Sequence, residues 1–255
     1  MEAYVMDAFS TRLFGGNQAG VALPERELPD ARMQQVAAEF KHSETAFVRV
    51  EKDGSVTLRY FTPAGEVELC GHATVASFAL LRQLGRIGDG DVTAHTKAGE
   101  LSVTVQGGTV WMDMAKPRLL RELGEDEWDA FYEAYGLTTA DRPEGLTPAI
   151  VSTGLADVML PVRDHDTLMR AVQNEAAVTA LSKKYDVTGV HMFCLGDGCT
   201  AYCSNYAPLY DIPEECATGT SNGALTYYLY LRGIVQPGQE NVFLQGEHMN
   251  RPSEI

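Results

Sequence analysis

Basic residues are scarce in this chain: 20 Lys and Arg stand against 35 Asp and Glu, a formal charge of −15. A surface of that sign has too little positive charge to neutralise a phosphate backbone, so nucleic acid is not expected as a partner. Cysteine is sparse and odd in number (Cys70, Cys194, Cys199, Cys203, Cys216), and the chain opens without a charged-then-apolar leader. A disulfide framework is therefore not expected, and a reducing cytoplasm is the expected location. Cys199 and Cys203 lie close together, but no second Cys or His pair follows, so no metal is expected. The longest apolar runs, such as residues 75–81, are far too short to cross a bilayer, so no membrane partner is expected. No Gly-x-Gly-x-x-Gly leads from a strand into a helix, which removes a dinucleotide fold. No cofactor of any kind is expected.

What is present is a chain of 255 residues, long enough for one large domain or two of ordinary size. Short alternating or β-branched segments fill the first half, at 2–9, 44–50, 56–61, 92–96, 101–106 and 109–114. Two helical patterns interrupt them, one over 29–39 with Asp30 as its cap, the other from 71 or 72 to Leu84, stopped by Gly85. After a helical link over 125–135, the second half repeats the style. Strands are expected at 149–152, 158–162, 187–195, 200–206 and 242–246, and helices at 165–173, 176–185 and 220–232. The class is α+β, without βαβ alternation.

The two halves also echo each other. Tyr60-Phe61-Thr62-Pro63, an acidic stretch and Cys70-Gly71-His72-Ala73-Thr74 lead into one apolar helix. Asn205-Tyr206-Ala207-Pro208, a second acidic stretch and Cys216-Ala217-Thr218-Gly219-Thr220-Ser221-Asn222 lead into another. This order implies a duplicated lobe, divided here as 1–118 and 119–255. Pseudo-symmetry would bring two helix N-termini to one interface, each offering unpaired N–H groups and the positive end of a helix dipole. A small carboxylate is the substrate such a trap suits. Gly71 and Gly219 permit close approach of the backbone, while Thr74, Thr220, Ser221 and Asn222 supply polar side chains.

Nine segments carry a resemblance: Asp7-Ala8-Phe9, residues 14–21, Ser43-Glu44-Thr45-Ala46-Phe47-Val48, Phe61-Thr62-Pro63, Leu69-Cys70-Gly71-His72-Ala73-Thr74, Ala98-Gly99, Ser152-Thr153-Gly154, residues 214–221 and Arg251-Pro252-Ser253. In this order they resemble the phenazine-biosynthesis-like (PhzF-like) isomerases. The resemblance implies the diaminopimelate-epimerase-like fold, two pseudo-symmetric lobes, each a curled, mostly antiparallel sheet around a central helix, with the active site between them. It implies a cofactor-independent isomerase in which Glu44 is the general acid/base. It places Gly71, His72, Ala73, Glu215, Gly219, Thr220 and Ser221 at the substrate, and it implies a homodimer, as do exposed sheet edges.

The residues themselves leave more than one reading of the chemistry. Glu44 opens an apolar strand, where desolvation would lift a carboxyl toward the range of an acid/base catalyst; an exposed strand end is the plain alternative. His72 reads equally as a structural group at a helix start. Glu215 stands where relatives carry Asp, and Gln18 where they carry Pro. Cys70 and Cys216 lie beside the glycine turns where related two-thiol racemases place their cysteines, although the registers differ, so a two-cysteine epimerase is the runner-up. A noncatalytic small-anion-binding protein is the third reading. Relatives continue past the position of Ile255 into a strand that returns to the first lobe, so a missing strand and an open sheet edge are expectations.

Overall fold

The computed structural model describes residues 1–255. It divides into two units, Met1–Ala8 with Asn17–Asp113, and Phe9–Gly16 with Met114–Ile255. The division differs from one drawn at 118/119 in two respects: it falls at Asp113, and a segment near the N-terminus belongs with the second unit. The reason is local hydrogen bonding. The Gly16 carbonyl accepts from Arg251 Nε (2.9 Å) and Cys216 Sγ (3.1 Å), Gly16 N donates to the Pro252 carbonyl (3.1 Å), and Glu254 N donates to Phe9 O (2.8 Å). A Cβ on Gly15 would lie 2.8 Å from the Pro252 carbonyl, so glycine is needed there.

The first unit holds strands β1 (Glu2–Ala8), β2 (Asn17–Leu23), β3 (Thr45–Val50), β4 (Val56–Phe61), β5 (Glu66–Val67), β6 (Gly90–Thr96), β7 (Gly99–Gln106) and β8 (Thr109–Met112). They form one sheet in the order β1-β2-β3-β4-β6-β7-β8, with β5 hydrogen-bonded to β4. Helix α2 (Gly71–Gln83) touches β1, β2, β3, β7 and β8. Contact with both end strands requires the sheet to curl around it. Apolar and small residues on all sides of α2 explain the placement: no residue from Gly71 to Arg82 is exposed. Helix α1 (Asp30–Phe40) covers part of the outer face through Met33 and Ala37, which pack on Ala22, Phe47 and Phe61. Asp30 does not cap it. Pro29 is the cap residue, and Asp30, inside the first turn, instead accepts from Arg59 Nη1 at 2.7 Å.

The second unit holds β9 (Arg118–Glu122), β10 (Ala149–Ser152), β11 (Ala156–Pro161), β12 (Gly189–Leu195), β13 (Ala201–Ala207), β14 (Ile212–Glu215), β15 (Phe243–Gln245) and β16 (Ser253–Glu254), in the order β16-β15-β13-β12-β11-β10-β9, with β14 on β13. Its helices are α3 (Glu125–Glu133), α4 (His165–Met169), α5 (Glu175–Tyr185) and α6 (Gly219–Leu231). The period of two along β11 and β12 sorts the core. Val158, Leu160, Val190 and Met192 face one side with Phe131, Tyr132 and Val178, while Met159 and Phe193 face the other with Leu225, Tyr228 and Leu229 of α6. Helix α4 ends at Met169, short of the expected residue 173.

The pairings show the duplication directly. In the first unit β1/β2 is antiparallel, β2/β3 parallel, β3/β4 antiparallel, β4/β5 antiparallel, β4/β6 parallel and β6/β7 antiparallel. The same six senses recur for β10/β11, β11/β12, β12/β13, β13/β14, β13/β15 and β15/β16. Helices α2 and α6 follow the equivalent short strands. In this frame Tyr60 matches Asn205 and Phe61 matches Tyr206; their cross-strand partners Ala46 and Thr45 then match His191 and Val190.

One position makes the frame testable. A Cβ on Gly189, at the start of β12, would lie 1.9 Å from the Tyr206 carbonyl oxygen, a backbone atom that cannot rotate away. Gly189→Ala should therefore lower stability by at least about 2 kcal/mol, measured by urea unfolding. An unchanged midpoint would contradict this packing.

Candidate active site

Two clusters contain the residues singled out above, one in each unit. In the first, Glu44 immediately precedes β3, and its carbonyl accepts from Gly20 N at 3.0 Å. Gly20 has no room for a side chain, since a Cβ would lie 2.7 Å from both the Phe40 ring and Thr45 Oγ1. Close apposition of β2 to the strand start thus fixes where Glu44 leaves the backbone. Its side chain is 22% exposed. Oε2 is enclosed, has no hydrogen-bond donor, and lies 3.3 Å from His72 Nε2 without hydrogen-bonding alignment.

His72, buried in the first turn of α2, has Ser43 Oγ 3.5 Å from Nε2 and Cys70 Sγ 3.5 Å from Nδ1. Burial holds its pKa below the ordinary value, outweighing the opposing effects of the Glu44 carboxylate and a hydrogen bond from the ring to the Gln18 carbonyl. The imidazole is therefore neutral near pH 7. Cys70 is the N-cap residue of α2, and its side chain makes no cap hydrogen bond. Its carbonyl accepts from Thr74 N (3.0 Å) and Thr74 Oγ1 (2.7 Å), and Thr74 in turn meets the Tyr60 hydroxyl at 2.6 Å. The Thr74 hydroxyl is used internally. What this helix end offers a ligand is the uncapped N–H groups of Gly71, His72 and Ala73.

In the second unit Gly219 and Thr220 open α6, whose N-cap residue Thr218 likewise makes no side-chain cap hydrogen bond. Ser221 is turned inward: its hydroxyl donates to buried Asp157 Oδ2 (2.5 Å) and accepts from Asn205 Nδ2 (3.1 Å), so only its backbone can serve a ligand. Burial pushes the Asp157 carboxyl up, against hydrogen bonds from Ser221 and Gly189 N. A buried donor chain then runs in one direction. Asn205 Nδ2 donates to His191 Nδ1 (3.2 Å), His191 Nε2 to Asn222 Oδ1 (3.2 Å), and Asn222 Nδ2 to Gln245 Oε1 (2.9 Å). Gln245 Nε2 donates to Thr218 Oγ1 (3.1 Å), which donates to Glu215 Oε2 (2.5 Å). The amide ends fix the tautomer, with the proton of His191 on Nε2.

A family model described as phenazine biosynthesis-like protein matches residues 6–255. The chain belongs to the phenazine biosynthesis-like family. An uncharacterized isomerase of Escherichia coli O157:H7, YddE, is 32% identical over 255 residues, covering 98% of this chain and 86% of that protein. The crystal structure of a PhzF-family phenazine biosynthesis protein from Bacillus anthracis superposes with a TM-score of 0.88 at 26% identity, over all of this chain and 89% of that one. A probable proline racemase from Agrobacterium radiobacter (TM-score 0.59, 13% identity, 99% of this chain and 83% of that one) shares the fold. No helix is long and apolar enough to cross a membrane.

The halves of this PhzF-like chain have diverged where it matters. By cross-strand register the counterpart of Glu44 is Gly189, which has no side chain, so only one half carries the carboxyl. The thiols differ as well. Cys70 adjoins its helix, whereas Cys216 lies before Ala217 and Thr218, its Sγ donating to the Gly16 carbonyl; burial raises its pKa, though Arg251 nearby opposes this. Sequence reasoning missed His191, Asn205, Gln245 and Asp157. His191 and Asp157 are lone polar residues in apolar strands, Asn205 follows Ser204 and Gln245 closes a three-residue strand, so the only signal was polarity within a strand pattern.

Burial lowers the pKa of His191 from its ordinary 6.5 to about 4. Between those values the unfolded chain binds a proton that the fold refuses. Stability should thus fall as the pH drops from 6.5 toward 4, by on the order of 3 kcal/mol. Urea midpoints of the wild type and His191→Asn compared across that range check this. Equal losses in the two proteins would contradict it.

Proposed function

We propose that this isomerase moves a proton on a small carboxylate substrate by general acid/base catalysis through Glu44, without metal or cofactor. The observation that carries the reading is the setting of the Glu44 carboxyl. One oxygen is enclosed against a neutral imidazole and lacks any hydrogen-bond donor, while the side chain keeps partial exposure. A carboxylate not neutralised by a donor is a competent base, and the same group, once protonated, is the acid that returns the proton. His72, held by α2, packs against this carboxyl and offers a polar ring edge to the substrate. The uncapped N–H groups at Gly71, His72 and Ala73 would hold the substrate carboxylate, and the start of α6, at Gly219, Thr220 and Ser221, carries an equivalent anion-binding set of its own. Glu215, fixed by Thr218, is an auxiliary polar group.

The two-thiol reading is weaker because Cys216 is buried and engaged with Gly16. A thiol base must be largely deprotonated, and burial opposes this. Simple anion binding would use the same helix ends but leaves the donor-free Glu44 oxygen without a task.

The test is deuterium wash-in at the acidic carbon of a panel of small cyclic and amino-acid-like carboxylates, followed by NMR. Glu44→Gln should reduce exchange by about 10²- to 10⁴-fold, the usual contribution of a positioned acid/base, while Cys216→Ser keeps most of it. A dead Cys216→Ser variant beside an active Glu44→Gln variant would establish the thiol mechanism instead. Exchange of no member of the panel would favour a binding protein.

A further inference from the structure

Three potential metal donors meet in the first unit although the sequence separates them. Glu44 Oε2, Cys70 Sγ and one ring nitrogen of His72 all lie within 4.8 Å of one another. His72 Nε2 is the shared vertex, 3.3 Å from Glu44 Oε2 and 3.8 Å from Cys70 Sγ. A tetrahedral zinc ion with a thiolate at about 2.3 Å, imidazole at about 2.0 Å and carboxylate at about 2.1 Å separates its donors by roughly 3.4–3.6 Å. The two edges at His72 bracket that range, and the carboxylate and thiol, within 4.8 Å of each other, would be drawn together by side-chain rotation onto one ion.

The surroundings fit a ligand role. The Gln18 carbonyl accepts from the His72 ring, the outer contact that orients a metal-bound histidine. The carbonyl of Cys70 accepts from Thr74 Oγ1, which the Tyr60 hydroxyl in turn holds. The enclosed Glu44 oxygen has no donor to give up, so a cation would satisfy it. Thiolate with imidazole selects a borderline-soft ion over Mg²⁺ or Ca²⁺, and three protein ligands leave one position open. Cys199 and Cys203, the pair whose spacing first raised the question of zinc, form no such group of three donors.

We propose that Glu44, Cys70 and His72 bind a borderline-soft divalent cation of the Zn²⁺ type, and that the bound ion switches the isomerase off by occupying the carboxylate oxygen. The switching clause rests on the role of Glu44 proposed above; the binding clause does not. Binding would displace the thiol proton to solvent and join Sγ, the ring nitrogen and the carboxylate oxygen to the metal, with no redox change.

The experiment titrates metal-free, full-length protein with Zn²⁺ by calorimetry and with Co²⁺ by absorption. The expected result is one ion per chain and a thiolate-to-cobalt charge-transfer band. Cys70→Ser should abolish the band and weaken binding at least tenfold, Glu44→Gln should weaken binding by a similar factor, and Cys199→Ser should bind like the wild type. No stoichiometric binding, or binding untouched by both Cys70→Ser and Glu44→Gln, would overturn the site whatever the catalytic role of Glu44. Where a substrate exchanges deuterium, Zn²⁺ should suppress exchange and a chelator restore it; exchange that rises with Zn²⁺ would overturn the switch alone.

Discussion

Enclosure of a helix that is apolar on every side is the constraint from which the rest follows. Helices α2 and α6 show no exposed residue over Gly71–Arg82 and Gly219–Leu229. Each sheet must therefore provide a continuous covering, and each helix start, with its unpaired N–H groups and dipole, is carried into the protein with it. A buried helix end needs partners. Neither start has a side-chain cap; beside that of α2 lies a small set of reactive side chains, and beside that of α6 a network of amides and hydroxyls. The cluster around Glu44 is thus a consequence of how the first sheet closes on its helix.

Duplication supplies the frame, and divergence supplies the chemistry. Matching strand senses show that one plan was used twice, yet equivalent positions hold different groups. The hydroxyl pair Tyr60 and Thr74 in the first unit answers to Asn205 and Asn222, bridged by His191, in the second. Where the first unit places Glu44, the second has Gly189, pressed against the Tyr206 carbonyl. One half carries the carboxyl, and the other does not. The other spends its polar side chains on one another, reaching Glu215 only at the end of the chain through Gln245 and Thr218.

Much of this was legible in the residues. Strong periods located β4, β10, α2 and α6 almost to the residue, because β-branched runs and apolar helices bounded by Gly leave little choice. Strand β2 was not, because Gly15, Gly16 and Gly20 read as turn signals; Gly20 is instead a strand residue that lets Phe40 and Thr45 come close. The short strands β5 and β14 were hidden in acidic stretches, since two to four residues carry no measurable period. Glu44 and His72 were named by motif, but their contact is tertiary and no local spacing encodes it. Ser221 was expected at the ligand through its hydroxyl; only the structure shows that hydroxyl committed to Asp157.

The central claim is that a single carboxyl, at Glu44, does the proton transfer. Chemical rescue tests it most directly: Glu44→Gly removes the group and leaves a space that a small carboxylic acid can enter. The account predicts that deuterium exchange of a substrate, lost in Glu44→Gly, returns in proportion to added formate, while the wild type gains nothing. Exchange by Glu44→Gly at the wild-type rate in formate-free buffer would contradict it.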